Sequence, residues 1–323
     1  VFLLKEILKE NQTLLYVAPE HEKAVSVASD FENWTGQTVH LFPPKRQTPY
    51  DEEGIADLSV QVQRSEVLEQ IGQQGASVIV ASAEALTDKL VSPDRFFASS
   101  VHLCKGDEFA PDHLSEKLTD LGYSATRFVD APGEFAMRGG IFDVFPFSGE
   151  YPVRLEFFGD EIESIREFDP DSQRSIAFLD ETRLVPNAAA AGGEVKQSLL
   201  SYLPEGSILT VEDSDLAKNT ISDHFKEAVE AYRNLNTGDQ EYPEPKEEFL
   251  TEKEWAESLN QFGLLLLGSF NESIQADESI SVGSAPHPSF NGSFKLLKEF
   301  IRKQSANRAR TLILTDHSNQ KER

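Results

Sequence analysis

Residues 151–158, YPVRLEFF, combine charged and aromatic side chains at a spacing that suits protein recognition. Period-two alternation divides them into an apolar set, Tyr151, Val153, Leu155 and Phe157, and a mixed set, Arg154, Glu156 and Phe158. Arginine and aromatic residues dominate the energetics of many interfaces, so Arg154 and Phe158 on one strand face indicate a protein-binding anchor. The alternative is that Phe158 folds under the next turn into a local core, and that its removal then costs stability. In the anchor interpretation these side chains point away from the core, and their removal leaves stability nearly unchanged.

Catalytic chemistry has little support in the residue pattern. The histidines are dispersed and show no H-E-x-x-H motif or paired metal-ligand spacing: His21, His40, His102, His113, His224, His287 and His317. No G-x-S-x-G elbow occurs. We expect Asp143 and Asp169 to close turns or cap strands, and Cys104, within an apolar run, to be a buried structural thiol. We therefore predict no catalytic residue, no metal site and no cofactor.

The elements that must position the anchor belong to an α/β fold. The hydrophobic pattern predicts buried strands at residues 13–18, 38–42, 77–81 and 208–211. It predicts helices at residues 20–34, 58–71 and 215–234. Such alternation predicts a parallel sheet covered by helices. Helical spacing marks candidate core positions, Ala24, Val27, Ala28 and Phe31 in the first helix and Val60, Val67, Leu68 and Ile71 in the second.

A different pattern interrupts this alternation between residues 99 and 183, where short strands are separated by Gly and Pro. Within it, Gly159-Asp160 predicts a two-residue hairpin turn with a positive φ angle at Gly159. We predict an inserted, mainly antiparallel domain at 99–183, between two α/β portions at 1–98 and 184–323 that share one sheet.

Charge and composition exclude several classes of function. The 30 Lys and Arg against 55 Asp and Glu give a net charge of -25, which argues against binding of a phosphate backbone or an anionic membrane. The single cysteine fits a reducing cytosol, so we expect a cytoplasmic protein. Val1 in place of methionine, followed by the amphipathic VFLLKEILKE, favours a chain that starts inside a larger protein.

Three sequence blocks carry a resemblance to a known family: RGGIFDVFP, VRLEFFGDEIESIR and FDPDSQRS, spanning residues 138–175. They resemble the second domain of bacterial transcription-repair coupling factors, and a related form occurs in the excision-repair helicase UvrB. A weaker resemblance covers nearly the whole chain. It implies a degenerate, UvrB-like phosphate-loop domain interrupted by an inserted domain that binds UvrA.

The resemblance also implies roles for particular residues and partners. Arg138, Arg154 and Phe158 match the UvrA-binding positions, although period-two counting leaves open whether Arg138 joins the other two across Gly139-Gly140. RNA polymerase and duplex DNA would be contacted only by other domains of a parent protein, an ATP-driven translocase. Its carboxy-terminal part would mask the UvrA-binding face.

The alternative function is a UvrB-like ATPase or helicase subunit. No Gly-Lys dipeptide of a phosphate loop occurs in the chain, although the family comparison places that loop before Val1. The D-E pair of UvrB is matched by the swapped Glu212-Asp213, and we expect the carboxylates at residues 212–215 to cap the following helix. Residues 42–53, which match the tyrosine-rich hairpin of UvrB, are short and acidic with a single tyrosine. These observations favour a non-enzymatic module.

Overall fold

The computed structural model describes residues 4, 12–45, 49–50, 57–72, 77–188, 196–235, 242–268, 271–281, 288–309 and 311. The chain divides into two compact units, residues 1–274 and 275–323. The strands, numbered in chain order, are β1 (Leu14–Ala18), β2 (Val39–Phe42), β3 (Val78–Ser82), β4 (Leu90–Val91), β5 (Val101–Cys104), β6 (Ser124–Ala125), β7 (Glu134–Arg138), β8 (Ile141–Val144), β9 (Val153–Phe158), β10 (Glu161–Phe168), β11 (Ser175–Leu179), β12 (Glu181–Leu184), β13 (Lys196–Gln197), β14 (Ile208–Glu212) and β15 (Gly263–Leu267).

The helices are α1 (His21–Thr35), α2 (Leu58–Gly72), α3 (Pro93–Ser99), α4 (Pro111–Asp120), α5 (Ser214–Asn234), α6 (Pro245–Glu248), α7 (Glu252–Leu259) and α8 (Phe294–Ala306), with 3₁₀ turns at Glu84–Leu86 and Leu199–Tyr202. Helix α8 belongs to the second unit, and the other helices and all these strands belong to the first. Across the residues just given, no helix is long and apolar enough to cross a bilayer. The amphipathic pattern at residues 1–10 (apart from Leu4) and much of the segment 42–53 lie outside the described residues.

The first unit contains a five-stranded sheet in the order β15-β14-β1-β3-β2, with every adjacent pair parallel. Strands β1 and β3 are buried at all five positions, because apolar side chains cover both faces of a parallel sheet. Leu15 and Val17 point into one apolar cluster, and Leu14 and Tyr16 into another. The predicted helix-covered parallel sheet is confirmed.

The helical spacing identified the core faces correctly. In α1 the buried residues are the four predicted ones, and in α2 the four predicted positions are buried together with Arg64 and Ser65. Strand β14 lies beside β1, with Leu14 paired to Ile208, so the sheet combines strands from before and after the antiparallel region. The boundaries after residues 98 and 183 stay predictions.

The intervening region forms a six-stranded sheet in the order β11-β10-β9-β8-β7-β6. Its pairs are antiparallel, except for the short parallel pair β6–β7. One face is apolar, and the residues at its centre, Phe142, Leu155 and Ile165, are buried. We call the opposite face, which carries Arg154 and Phe158, the outer face. Strands β5 and β12 form a separate antiparallel ribbon.

Candidate protein-interaction site

Strand β9 divides its side chains between the two faces as the alternation predicted. Val153, Leu155 and Phe157 are buried, whereas Phe158 is 74% exposed. The turn after it is the predicted two-residue hairpin, since Glu161 pairs with Phe158 and Gly159 has a φ of 65°. The alternative that Phe158 folds under this turn into a local core is therefore wrong.

The β7–β8 hairpin brings Arg138 to the outer face. Arg138 pairs with Ile141 across the turn at Gly139-Gly140. A Cβ atom at Gly140 would lie 2.8 Å from the backbone oxygen of Phe157, so only glycine fits this approach of β9 without a shift. Phe157 in turn donates its backbone N–H to the Gly140 carbonyl at 2.7 Å. This tight turn settles the question that alternation left open, and Arg138 and Arg154 meet.

The two arginines meet on a carboxylate. Asp143 is only 1% exposed and pairs with Arg154 across β8 and β9. It accepts hydrogen bonds from Arg154 Nε at 2.6 Å and Arg154 Nη2 at 2.9 Å, and from Arg138 Nη2. We call Arg138, Asp143 and Arg154 the arginine clamp. The expectation that Asp143 closes a turn or caps a strand is wrong, because it lies within β8. Asp169 does close a turn, accepting the Ser172 N–H at 2.7 Å.

The clamp holds Arg154 in a fixed, charged state. The hydrogen bonds to Asp143 raise the pKa of Arg154, its guanidinium lies 4.3 Å from the Phe168 ring centre, and Nη2 also donates to Gln173 Oε1 at 2.7 Å. Its side chain is only 12% exposed. This burial argues against our expectation that removing Arg154 leaves stability nearly unchanged, because a buried Asp143 would lose its bidentate partner.

On the rest of the outer face, charged side chains form pairs and aromatic rings are exposed. Glu156 accepts from Arg166 at 2.5 Å and from Ser164 at 2.6 Å. Opposite Arg166, on the edge strand β11, Phe178 is 75% exposed. Half-exposed Phe128 lies under Arg138, with the guanidinium 4.9 Å from its ring centre. The sequence analysis missed Asp143, Phe178 and Phe128; period-two counting on the run SIAFL could have suggested Phe178.

The carboxylates at the end of β14 have structural partners. Tyr16 donates its hydroxyl to Glu212 at 2.5 Å, and Lys23 lies 3.7 Å from Glu212. Asp213 is the residue that caps α5, but its side chain makes no capping hydrogen bond. The carboxylate of Asp215 accepts the backbone N–H groups of residues 272 and 273. A hydrogen bond from the Ser273 side chain, together with these N–H groups, lowers the pKa of Asp215. The expectation that these carboxylates cap the helix is met in position, since Asp213 is at the N-cap and Asp215 is in the first turn, but the Asp213 side chain makes no capping hydrogen bond.

Cys104 differs from its expected burial. It is half-buried at the end of β5, and its sulfur lies 4.0 Å from Glu181 Oε2. His102, two residues earlier, lies 2.9 Å from the same carboxylate oxygen. The dispersed histidines gave no hint of this cluster, because its third member comes from a different strand.

Residues 101–189, which contain the whole outer face, match the family model of the UvrB interaction domain. The chain is also similar to transcription-repair-coupling factors: 31% identical over 176 residues to that of Bacillus subtilis, 36% over 181 residues to that of Myxococcus xanthus and 28% over 173 residues to that of Escherichia coli. The predicted resemblance to this family is confirmed.

Each of these matches covers 54% of the chain and 15% of the relative. The chain thus spans a small part of the length of the curated relatives it matches. The stretch matched by the family model, residues 101–189, contains the arginine clamp, Phe158 and Phe178.

Proposed function

We propose that the outer face of the UvrB interaction domain binds UvrA, and that the chain is a non-catalytic module that recruits UvrA to a transcription-repair-coupling factor. The observation that carries the proposal is the exposure of Phe158 on the sheet face that also carries the fixed arginines Arg138 and Arg154. Aromatic residues and arginine are enriched at protein interfaces and at the positions that carry most of the binding energy.

The clamp supports binding through preorganisation. A free arginine loses side-chain entropy when a partner immobilises it, whereas Arg154 is already held by Asp143 and Phe168. Arg138 has a side chain that is 34% exposed. Its planar donor fork suits a carboxylate or an aromatic ring on the partner. The arrangement thus offers a rigid polar centre and an exposed apolar anchor on the same sheet face.

The parent protein in this proposal couples transcription to repair, in line with the name of the relatives. It would be an ATP-dependent DNA translocase that releases RNA polymerase stalled at DNA damage, with polymerase and duplex DNA bound by other domains. The exposed rings of the outer face also suit an intramolecular cover, which would mask them until UvrA is required.

The α/β portion is, in the same proposal, a degenerate relative of the nucleotide-binding domain of UvrB. The Glu212 carboxylate accepts a hydrogen bond from Tyr16 and forms an ion pair with Lys23. The Asp215 carboxylate accepts hydrogen bonds from backbone N–H groups. Calorimetric titration with ATP and magnesium should therefore give no measurable heat of binding. Micromolar, magnesium-dependent binding would instead favour the UvrB-like ATPase.

The decisive test of UvrA binding is Phe158→Ala. Because the ring is exposed, its removal should lower the affinity for UvrA about thirtyfold, or about 2 kcal/mol, and change the free energy of unfolding by less than about 0.5 kcal/mol. Phe294→Ala is the matched control, since Phe294 is 84% exposed on α8. Equal affinity of the two variants, measured by calorimetry with purified UvrA, would refute the proposed interface.

A further inference from the structure

The ribbon formed by β5 and β12 lies at the two ends of the UvrB interaction domain. Strand β5 begins the matched region at residue 101, and β12 is the last strand within it. The two strands are antiparallel, with Cys104 opposite Glu181 and His102 opposite Arg183. Any bond across this ribbon would therefore tie the beginning of the domain to its end.

Three potential metal ligands converge on the solvent side of this ribbon. Val101 and Leu103 are buried, so His102 and Cys104 alternate to the same outward face. Glu181 reaches them from the opposite strand. Its Oε2 lies 2.9 Å from His102 Nε2 and 4.0 Å from Cys104 Sγ, and one ligand atom from each residue lies within 4.8 Å of the others.

These distances are close to those of a tetrahedral zinc ion. Zinc bonds of 2.0–2.3 Å place ligand atoms roughly 3.3–3.8 Å apart, so modest side-chain rotations suffice. A thiolate, an imidazole and a carboxylate are the three protein ligand types that zinc uses, and three ligands plus water make an open site. The side chains of His102 and Glu181 are 49% and 66% exposed, so an ion can reach them from solvent.

The surroundings supply further charge and order. The Asp107 carboxylate accepts the backbone N–H of Cys104 at 2.7 Å, which fixes the end of β5. Burial, and the carboxylates of Asp107 and Glu181, raise the pKa of the Cys104 thiol. The same negative charges that disfavour the thiolate attract a divalent cation. Once bound, the positive charge of the cation favours the thiolate. The positive charge of Arg183, exposed on β12 opposite His102, opposes the binding of a cation.

We propose that His102, Cys104 and Glu181 bind a zinc(II) ion, with water completing the tetrahedron, and that the ion fastens β5 to β12. On binding, the Cys104 sulfur releases its proton to solvent and forms the bond to zinc. The site lies outside the outer face, so the zinc proposal and the proposal of UvrA binding can be tested independently of each other.

Cobalt(II) is the appropriate probe, because it replaces zinc in such sites and its bond to a thiolate gives a charge-transfer absorption band. Titration of the full chain with cobalt(II) should produce this band, and added zinc(II) should abolish it. Cys104→Ser should lose the band, and His102→Gln and Glu181→Gln should each weaken cobalt binding at least about tenfold. His113→Gln, a change at another exposed histidine, should bind as the wild type does.

Zinc should also raise the melting temperature of the wild type and of His113→Gln, but not of Cys104→Ser, because binding to the native state stabilises it. The absence of a thiolate band from the wild type at millimolar cobalt(II) would overturn the proposal. Unchanged cobalt affinity in Cys104→Ser would overturn it as well, since the ion would then be bound elsewhere on this acidic chain.

Discussion

The two large sheets of the first unit use their faces differently. In the parallel sheet, β1 and β3 are buried on both sides, so every side chain on them contributes to stability. In the six-stranded sheet, one face is buried around Phe142 and Leu155, while the other carries paired charges and exposed rings. A sheet covered on one side can stabilise the fold with one set of alternate residues and keep the other set for recognition.

The outer face is itself divided. The arginine clamp is mostly withdrawn from solvent, whereas Phe158 and Phe178 are about three-quarters exposed. In the proposed interface, polar residues on this face would therefore contribute to folding as well as to binding, and the exposed rings to binding alone. Substitutions on the two faces and in the clamp test this division.

The largest effect is expected for Phe142→Ala on the buried face. Phe142 is fully buried, and its ring centre lies 5.7 Å from that of Phe135 and 6.5 Å from that of Phe157. Its removal leaves a cavity and should lower the free energy of unfolding by about 3–5 kcal/mol. Urea denaturation would measure this loss, and a loss below about 1 kcal/mol would show that the inner face is less well packed than its burial indicates.

Next in size is the effect of Arg154→Ala on stability. It leaves the buried Asp143 with Arg138 alone, which should lower the free energy of unfolding by about 3 kcal/mol. The double variant Arg154→Ala/Asp143→Ala removes the unpaired charge, and it should be less destabilised than the two single losses summed. Urea denaturation of Arg154→Ala, Asp143→Ala and the double variant measures the three losses in free energy of unfolding. If the two single losses add up to the double loss, the clamp does not stabilise the protein as a unit.

The smallest effect is expected for Phe178→Ala. Phe178 lies on the edge strand β11 with its ring exposed, so the free energy of unfolding should change by less than about 0.5 kcal/mol. If the interface with UvrA extends from Phe158 to this edge, the affinity should fall by about 1 kcal/mol, or roughly fivefold. A larger loss than that of Phe158→Ala would move the centre of the interface towards β11.

The features that could be predicted from the sequence are those that depend on neighbouring residues. The alternation along β9, the turn at Gly159-Asp160 and the apolar faces of α1 and α2 are local patterns, and the structure confirms each. The resemblance supplied Arg138, whose place on the outer face depends on the tight turn at Gly140.

The features that the sequence analysis missed depend on register between strands. Asp143 before a hydrophobic run looks like a turn residue, and only its pairing with Arg154 across two strands reveals the clamp. Glu181 is 77 residues from Cys104, and only the β5–β12 pairing brings them together. Likewise, the strand-end carboxylates find partners in β1 and in the segment after β15, which no local capping rule anticipates.

The adjacency of β1 and β14 has a consequence for the order of folding. Tyr16 and Glu212, joined by a hydrogen bond across these strands, are 196 residues apart in the sequence, whereas β7 to β11 pair with their immediate successors. Contacts between distant residues form slowly because the long intervening chain must first be closed into a loop. During synthesis from the amino terminus, the six-stranded sheet can therefore assemble before β14, the second neighbour of β1, has been made. The surface proposed for recognition would then be complete before the scaffold that carries it.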